Sequence, residues 1–267
     1  MIARTMNTAS IGIALALAIL LSVGDVRAWE ERDAQVGDYR IRYVLRPGTE
    51  PGLNLVLAHG YKGSWRAWKR VLDRVDKRYT VLAPDLLGFG ASERIGSKAS
   101  RSMSLQGDVL YLLITKLGLH PAVLAGNSMG GAVILSSAVR HPEAASGLVF
   151  VNAGIYVKRI YRENVSPLVK QIPEGLPVLV VHGQGDRLIP LEHAVKLHES
   201  IAGSRLAVIP DCRHVPPLQC PDAFLEELNG FLRSMPGAET SQAQPKAPPA
   251  SASSPGPAAE SSGATIP

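Results

Sequence analysis

Gly126-Asn127-Ser128-Met129-Gly130-Gly131 is the stretch of sequence that decides the fold, because of the segments on either side of it. The apolar run 122–125 before it predicts a buried strand, and the run 132–140 after it predicts a helix. The serine therefore lies at a strand-to-helix corner. Glycines two residues before and two residues after the serine leave room for a sharp turn. We expect a strained backbone at Ser128, with its hydroxyl held out above the sheet.

Three other strand-like runs end in polar residues that a reaction at this serine would need. The runs 53–58, 177–181 and 206–209 are followed by His59-Gly60-Tyr61, by His182-Gly183-Gln184-Gly185-Asp186 and by Asp211-Cys212-Arg213-His214, respectively. The polar residues thus come in the chain order serine, aspartate, histidine. This order differs from those of chymotrypsin-like and subtilisin-like proteases and is typical of α/β hydrolases.

On these motifs, residues 53–233 resemble the α/β-hydrolase fold family, of the lipase, esterase and carbon–carbon hydrolase type. The resemblance includes the HG turn, the segment Pro84-Asp85-Leu86-Leu87-Gly88-Phe89-Gly90-Ala91-Ser92, the elbow around Ser128, the HGxxD loop and the late histidine. It implies an α/β fold with a doubly wound, mostly parallel sheet. It also implies a serine hydrolase that works through an acyl-enzyme without a cofactor or a metal ion.

Ser128, His214 and Asp186 are the predicted catalytic residues. A serine hydroxyl attacks poorly until a base removes its proton, and His214 alone among the seven histidines follows the last strand and precedes the last helix. Asp186 is expected to orient the imidazole and to offset its positive charge. Asp211 is a weaker alternative, because it is only three residues from His214. The resemblance assigns Asp85 to a structural turn with no catalytic role.

The backbone amides of Met129 and Tyr61 are the predicted oxyanion-hole donors. Met129 directly follows the nucleophile, Tyr61 directly follows the HG turn, and amides that already point at a developing negative oxygen stabilise it most effectively. Gly126, Asn127 and Gly130 complete the elbow. Asn127 stands where the family often has histidine, and asparagine also occurs there in members that hydrolyse carbon–carbon bonds.

The pattern of strands and helices predicts a sheet covered on both faces. Six nearly continuous apolar runs predict buried parallel strands, and the alternating run 38–44 predicts a half-exposed antiparallel edge strand. The expected helices are 65–76, 104–117, 132–140, 191–201 and 223–233. Strands and helices that alternate in this way predict a doubly wound sheet, with the reactive loops at the carboxyl ends of the strands.

A short insertion predicts an open cleft. Many members of the resembled family carry a helical cap of some tens of residues before the strand that leads to the acid, whereas this chain has only the 22 residues 155–176. That length allows one short amphipathic helix and a loop. We therefore expect a shallow cleft, which suits a small-acyl or lipid-like ester.

The two ends of the chain differ from the predicted hydrolase domain 29–235. Residues 1–28 combine Arg4, an apolar run over 11–23 and the sequence Val26-Arg27-Ala28, a pattern typical of a cleaved secretory signal. The alternative is an uncleaved anchor, but the apolar run is shorter than the roughly 20 residues of a membrane span. The prediction is therefore a secreted or periplasmic protein. Residues 236–267 are rich in Pro, Ala and Ser and are expected to form a disordered tail.

Charge and cysteine content narrow the possible partners. The net charge of +5 comes from scattered cations, which indicates no nucleic-acid surface and at most a weak attraction to an anionic envelope or polymer. Cys212 and Cys220 are the only cysteines and bracket His214, so export favours a disulfide around the base, with two free thiols as the alternative. The pair has no companion ligands for a metal. The oligomeric state stays open.

These observations favour an exported serine hydrolase acting on an ester or related acyl bond. Two alternatives use the same scaffold for another reaction, namely cofactor-free carbon–carbon bond hydrolysis or perhydrolysis, because a fold does not fix a function. A third is a binding or sensing module without catalysis. The complete set of Ser128, Asp186 and His214 argues against that third possibility.

Overall fold

The computed structural model describes residues 29–157 and 161–238. The predicted signal peptide, 1–28, lies outside the described residues, as does all but the first three residues of the predicted tail 236–267. Among the helices in the two described ranges, none has both the length and the hydropathy of a membrane span.

One sheet of eight strands forms the centre of the molecule, in the order β1-β2-β4-β3-β5-β6-β7-β8. The two pairs formed by β2 are antiparallel and all other pairs are parallel, which confirms the predicted α/β fold class. The strands are β1 (Glu30–Val36), β2 (Tyr39–Arg46), β3 (Asn54–Ala58), β4 (Thr80–Pro84), β5 (Ala122–Asn127), β6 (Ala145–Val151), β7 (Val178–Gly183) and β8 (Arg205–Ile209).

The prediction that 38–44 forms an edge strand is wrong about its place in the sheet. It forms β2 and is antiparallel as expected, but it lies second in the sheet because β1 pairs along its outer side. β1 was not predicted, since six of its seven residues are not buried and it has no apolar alternation. Instead, its Asp33 accepts hydrogen bonds from Arg40 and Arg42 of β2, at 2.9 to 3.0 Å.

Helices cover both faces of the sheet. The predicted helix 65–76 is shorter than expected, because a 3₁₀ turn, Trp65–Trp68, replaces its first turn and the α-helix ends at Leu72. The α-helices are α1 (Lys69–Leu72), α2 (Met103–Lys116), α3 (Met129–Arg140), α4 (Leu191–Glu199), α5 (Pro216–Gln219) and α6 (Pro221–Arg233), and the other 3₁₀ turns are Ala99–Arg101, Pro142–Ala144 and Ser166–Gln171.

The central strands pack against a separate apolar cluster on each face. Leu124 and Phe150 belong to the cluster under α2, α3 and α4, whereas their neighbours Val123 and Val149 belong to the cluster that includes Phe224 of α6. All four strand residues are at most 1% exposed. Burial on both faces explains the continuous apolar runs of these strands. It also leaves the loops at their carboxyl ends as the exposed place for a site.

The insertion 155–176 forms no separate cap in its described part. It contains the 3₁₀ turn Ser166–Gln171, and its buried residues Ile155, Val165 and Val169 pack against the cluster under α3. The expected short amphipathic helix is therefore a 3₁₀ helix that lies on the core. Residues 158–160 of this insertion are not described.

Candidate active site

The turn between β5 and α3 holds Ser128 in a strained backbone conformation, as its flanking glycines predict. Ser128 has φ 54° and ψ −114°, a region that a residue with a side chain rarely adopts. A Cβ on Gly126 would lie 2.2 Å from the Gly130 carbonyl oxygen, and a Cβ on Gly130 would lie 2.2 Å from the Ala58 carbonyl oxygen. The close approach of these backbones requires glycine at both positions.

The structure brings Ser128, His214 and Asp186 together although they come from three different loops. His214 Nε2 lies 3.0 Å from Ser128 Oγ, and His214 Nδ1 lies 2.8 Å from Asp186 Oδ2. A carboxylate can only accept, so Nδ1 carries the proton and Nε2 is left as the acceptor for the serine hydroxyl. The arrangement can therefore pass a proton from Ser128 to His214 while Asp186 fixes the imidazole.

Asp186 is held as a carboxylate in a buried position. Its side chain has no exposed surface. Burial by itself would raise its pKa, but hydrogen bonds from His214, from the Asn152 amide at 2.6 Å and from the backbone amides of Leu188 and Ile189 outweigh burial and lower the pKa to about 2. Asp186 is therefore ionised throughout the neutral range and can offset a positive imidazole.

Asn152 is a residue of the site that the sequence reasoning missed. It directly follows β6, is fully buried and has φ 44°, a conformation in which asparagine is favoured over most other residues. Its Nδ2 donates to Asp186, and its Oδ1 accepts from the amide of Gly183 at 3.1 Å. The available signal was a polar residue at the carboxyl end of a buried strand next to the strand that leads to the acid.

Asn127 supports the base loop rather than facing a substrate. Its side chain is buried, and Nδ2 donates to the carbonyl of Val151 at 3.1 Å and to the carbonyl of His214 at 3.0 Å. The asparagine before the nucleophile thus ties the end of β6 to the loop that carries the imidazole.

A disulfide joins Cys212 and Cys220, with their Cα atoms 5.9 Å apart. The bridge closes the loop that contains His214 and α5. The Cys212 carbonyl also accepts from the amide of Gly185 at 2.7 Å, which connects the base loop to the acid loop. Asp211, the alternative acid, is exposed, and the carboxylate bonded to His214 is that of Asp186.

His59 shapes the loop that approaches Ser128. Its buried ring accepts from the Leu86 amide at Nε2, 2.9 Å away, and Nδ1 donates to the Gly60 carbonyl at 2.7 Å. Burial lowers the pKa of His59, so the neutral tautomer that these two bonds require is the stable form. A Cβ on Gly60 would lie 3.2 Å from Ser128 Cβ. Tyr61 therefore directly follows a residue whose backbone lies close to Ser128.

Of the two expected oxyanion donors, Met129 directly follows Ser128, and Tyr61 directly follows Gly60, whose backbone approaches Ser128. Met129 is the first residue of α3, where backbone amides have no acceptor within the helix. Tyr61 follows Gly60 on the facing loop. Asp85, in contrast, accepts from the backbone amides of Trp65 and Ala91, each at 2.7 Å, and organises its own turn. Within the described part of the chain, no three His, Cys, Asp or Glu side chains cluster as metal ligands would.

Comparisons with known proteins agree with this fold and hydrolase class. A family model described as the alpha/beta hydrolase fold matches residues 54–176. The 2-hydroxymuconate semialdehyde hydrolase of Pseudomonas sp. strain CF600 is 24% identical over 68% of this chain and 87% of its own length. Two solved structures are also similar, and they are covered to 98% and 99%, respectively. The Thermogutta terrifontis esterase is 22% identical over 76% of this chain with a TM-score of 0.62, and the Burkholderia xenovorans enol-lactonase is 18% identical over 75% with a TM-score of 0.68. The chain has the α/β-hydrolase fold.

Proposed function

We propose that this α/β hydrolase is a serine hydrolase that cleaves an ester or related acyl bond. The observation that carries the proposal is the hydrogen-bonded series Ser128, His214 and Asp186, with distances of 3.0 and 2.8 Å. Nucleophile, base and orienting acid are thereby in the relation that acyl transfer requires. A small-acyl or lipid-like ester suits the open cleft.

The proposed reaction has two stages. His214 Nε2 accepts the hydroxyl proton of Ser128 as the oxygen attacks the substrate carbonyl, and the amides of Met129 and Tyr61 stabilise the negative oxygen. His214 then donates that proton to the leaving alcohol, so the acyl group remains on Ser128. Water, deprotonated by the same imidazole, releases the acid and restores the serine. Loss of one oxyanion donor would raise the barrier by about 3 kcal/mol.

Carbon–carbon bond hydrolysis is the second candidate. It is supported by the similarity to 2-hydroxymuconate semialdehyde hydrolase and to a Metapseudomonas resinovorans hydrolase of a 2-hydroxy-6-oxo-hexadienoic acid, which is 24% identical. Asn127 before the nucleophile is compatible with it. The short insertion 155–176 favours the ester, because members that cleave carbon–carbon bonds use a substantial cap to bind their substrates.

Export is part of the proposal. The pattern of residues 1–28 and the Cys212–Cys220 bridge support it, since disulfides persist in oxidising compartments. Fractionation of cells that express the full chain tests this point. We expect a shortened protein outside the cytoplasm, with a mass that corresponds to cleavage after residue 28, and a full-length protein in the cytoplasm would contradict it.

A fluorophosphonate probe and a series of p-nitrophenyl esters of increasing chain length test the chemistry. Wild-type protein should be labelled on one serine and should turn over the short esters. Ser128→Ala should lose labelling, and His214→Ala should lose both labelling and turnover. Ser200→Ala is the matched control, because Ser200 is an exposed serine whose hydroxyl donates to the carbonyl of Lys196.

The two candidates give different results in that experiment. Labelling of Ser128 together with ester turnover, and little loss of 2-hydroxymuconate semialdehyde absorbance, supports the esterase. Labelling with fast loss of that absorbance and slow ester turnover supports the carbon–carbon hydrolase. Wild-type protein that is neither labelled nor active on any of these substrates would remove the serine-hydrolase proposal.

A further inference from the structure

Two open grooves lie side by side on the described surface, and every charged residue that lines them is a cation. The first, of about 610 Å³, contains Lys62 and Arg94. The second, of about 490 Å³, contains Lys98, Arg101 and Arg162. Among the residues that the structure describes, no aspartate or glutamate lines either groove. On a surface of mixed charges, such a concentration creates a positive potential that concave walls strengthen.

One residue of each groove lies on or against a backbone segment next to Ser128. Tyr61 lines the first, and it follows Gly60, where a Cβ would lie 3.2 Å from Ser128 Cβ. Tyr161 lines the second groove. Its hydroxyl packs against Gly154, 2.5 Å from where a Cβ on that glycine would lie. The Gly154 amide donates to the Ser128 carbonyl at 3.1 Å. Lys62 and Arg162, which directly follow Tyr61 and Tyr161, therefore place positive charge on the segments next to Ser128.

The acidic residues that adjoin Arg94 and Arg162 in the sequence are engaged elsewhere. Glu93 accepts from the backbone amide of Arg40 at 2.8 Å. Glu163 accepts from the Ser102 hydroxyl at 2.5 Å and from the Met103 amide at 2.9 Å, at the start of α2. These bonds orient both carboxylates toward neighbouring elements. The positive charge of the grooves is thus available to a bound anion.

The first groove also offers hydroxyl groups beside its cations. Ser64 and Ser97 line it together with Lys62 and Arg94. A phosphate has several acceptor oxygens, and a guanidinium, an ammonium and hydroxyls are the donors that bind it well. We infer that the preferred substrate is an ester that bears a phosphate group, held in this groove while its acyl carbon lies at Ser128. The inference rests on the proposed serine-hydrolase function.

A pair of soluble esters tests the inference. The phosphate ester is 1,2-dibutyrylglycerol 3-phosphate, and the neutral ester is 1,2-dibutyrylglycerol, which has the same acyl bonds. Wild-type kcat/KM should be about tenfold higher for the phosphate ester, because the phosphate forms two ion pairs with exposed cations. The difference should come mainly from a lower KM. Raising the salt from about 0.05 to about 0.5 M should shrink the ratio, because exposed charges are then screened.

Variants locate the effect. In the double variant Lys62→Gln and Arg94→Gln, the ratio of the two kcat/KM values should fall to about one, as the loss of two exposed ion pairs requires. Lys116→Gln is the matched control, since Lys116 is an exposed cation at the end of α2, and the ratio should stay as in wild type. A wild-type ratio near one, or a ratio that persists in the double variant, would overturn the inference and leave the serine hydrolase intact. No turnover of either ester would overturn both.

Discussion

Replacing Asp186 with asparagine should remove a measurable part of the pH dependence of folding. The carboxylate has a pKa of about 2 in the folded protein, against an ordinary value of 3.8. A carboxyl group whose pKa is lowered by folding stabilises the folded state above its unfolded pKa and loses that contribution as the pH falls toward the folded value. The window for Asp186 therefore runs from about pH 5 down to about pH 2.

The magnitude follows from the difference between the two pKa values. A difference of nearly two units corresponds to about 2 kcal/mol of unfolding free energy at pH 5, because each unit is worth about 1.4 kcal/mol. About half of that should be lost by pH 3. Asp186→Asn retains the shape but has no carboxylate to titrate. Its unfolding free energy should therefore fall less than that of wild type over the same interval, by about 2 kcal/mol at the limit.

Urea unfolding of both proteins at half-unit steps from pH 2 to pH 6 measures this difference. Asp38→Asn, a change in the tight turn between β1 and β2, serves as the matched control. Ester turnover at pH 7 should fall by about a thousandfold or more in Asp186→Asn, because the amide no longer fixes the proton on His214 Nδ1. Parallel stability curves for wild type and Asp186→Asn would refute the argument that hydrogen bonds outweigh burial at this carboxylate.

Three further changes test the elbow and the base loop. Ser128→Gly should abolish ester turnover yet raise the unfolding free energy by about 1 kcal/mol, since glycine tolerates φ 54°, and lower stability would refute the strain. Gly130→Ala should lower the free energy of unfolding, measured by thermal unfolding, by about 3 kcal/mol or more, because the added Cβ clashes with backbone. Gly96→Ala, whose added Cβ meets nothing within 4 Å, should change this free energy little. Replacing Cys212 and Cys220 with alanine should lower the unfolding free energy in urea by about 2.5 kcal/mol, and dithiothreitol should then have no further effect on the double variant.

The central strands were predictable because their burial is uniform. β5 and β7 are covered on both faces, so a run such as 178–181 has no polar interruption and its strand type follows from composition. β1 was not predictable for the opposite reason. It carries Glu30, Glu31, Arg32 and Asp33, and it is a strand because β2 offers a backbone edge and arginines that bind its acids. That information belongs to the pair of strands and not to either segment alone.

The residues of the candidate site likewise divide into those that the sequence predicts and those that it does not. Ser128 could be proposed because the sharp turn at this position requires the glycines around it. His214 could be proposed because the order of the motifs places it after the last strand. Asn152 could not. Its amide acquires a role only because β6 and β7 are neighbours in the sheet, which brings the residue after one strand to the carboxylate after the other. An asparagine after a strand is otherwise typical of an ordinary turn.

Two buried asparagines explain how Ser128, His214 and Asp186 keep their arrangement although the described part of the insertion forms no separate cap. Asn127 bonds to the main chain of His214, and Asn152 bonds to the carboxylate of Asp186, so amides at the carboxyl ends of adjacent strands hold the two residues that we propose as base and acid. Hydrogen bonds of this kind, one of them to a charged group, remain in place without a substrate or a cap. A cap is therefore not needed to assemble the three residues. We therefore expect selectivity among substrates to depend on the residues of the two grooves near Ser128 rather than on closure of a cap over it.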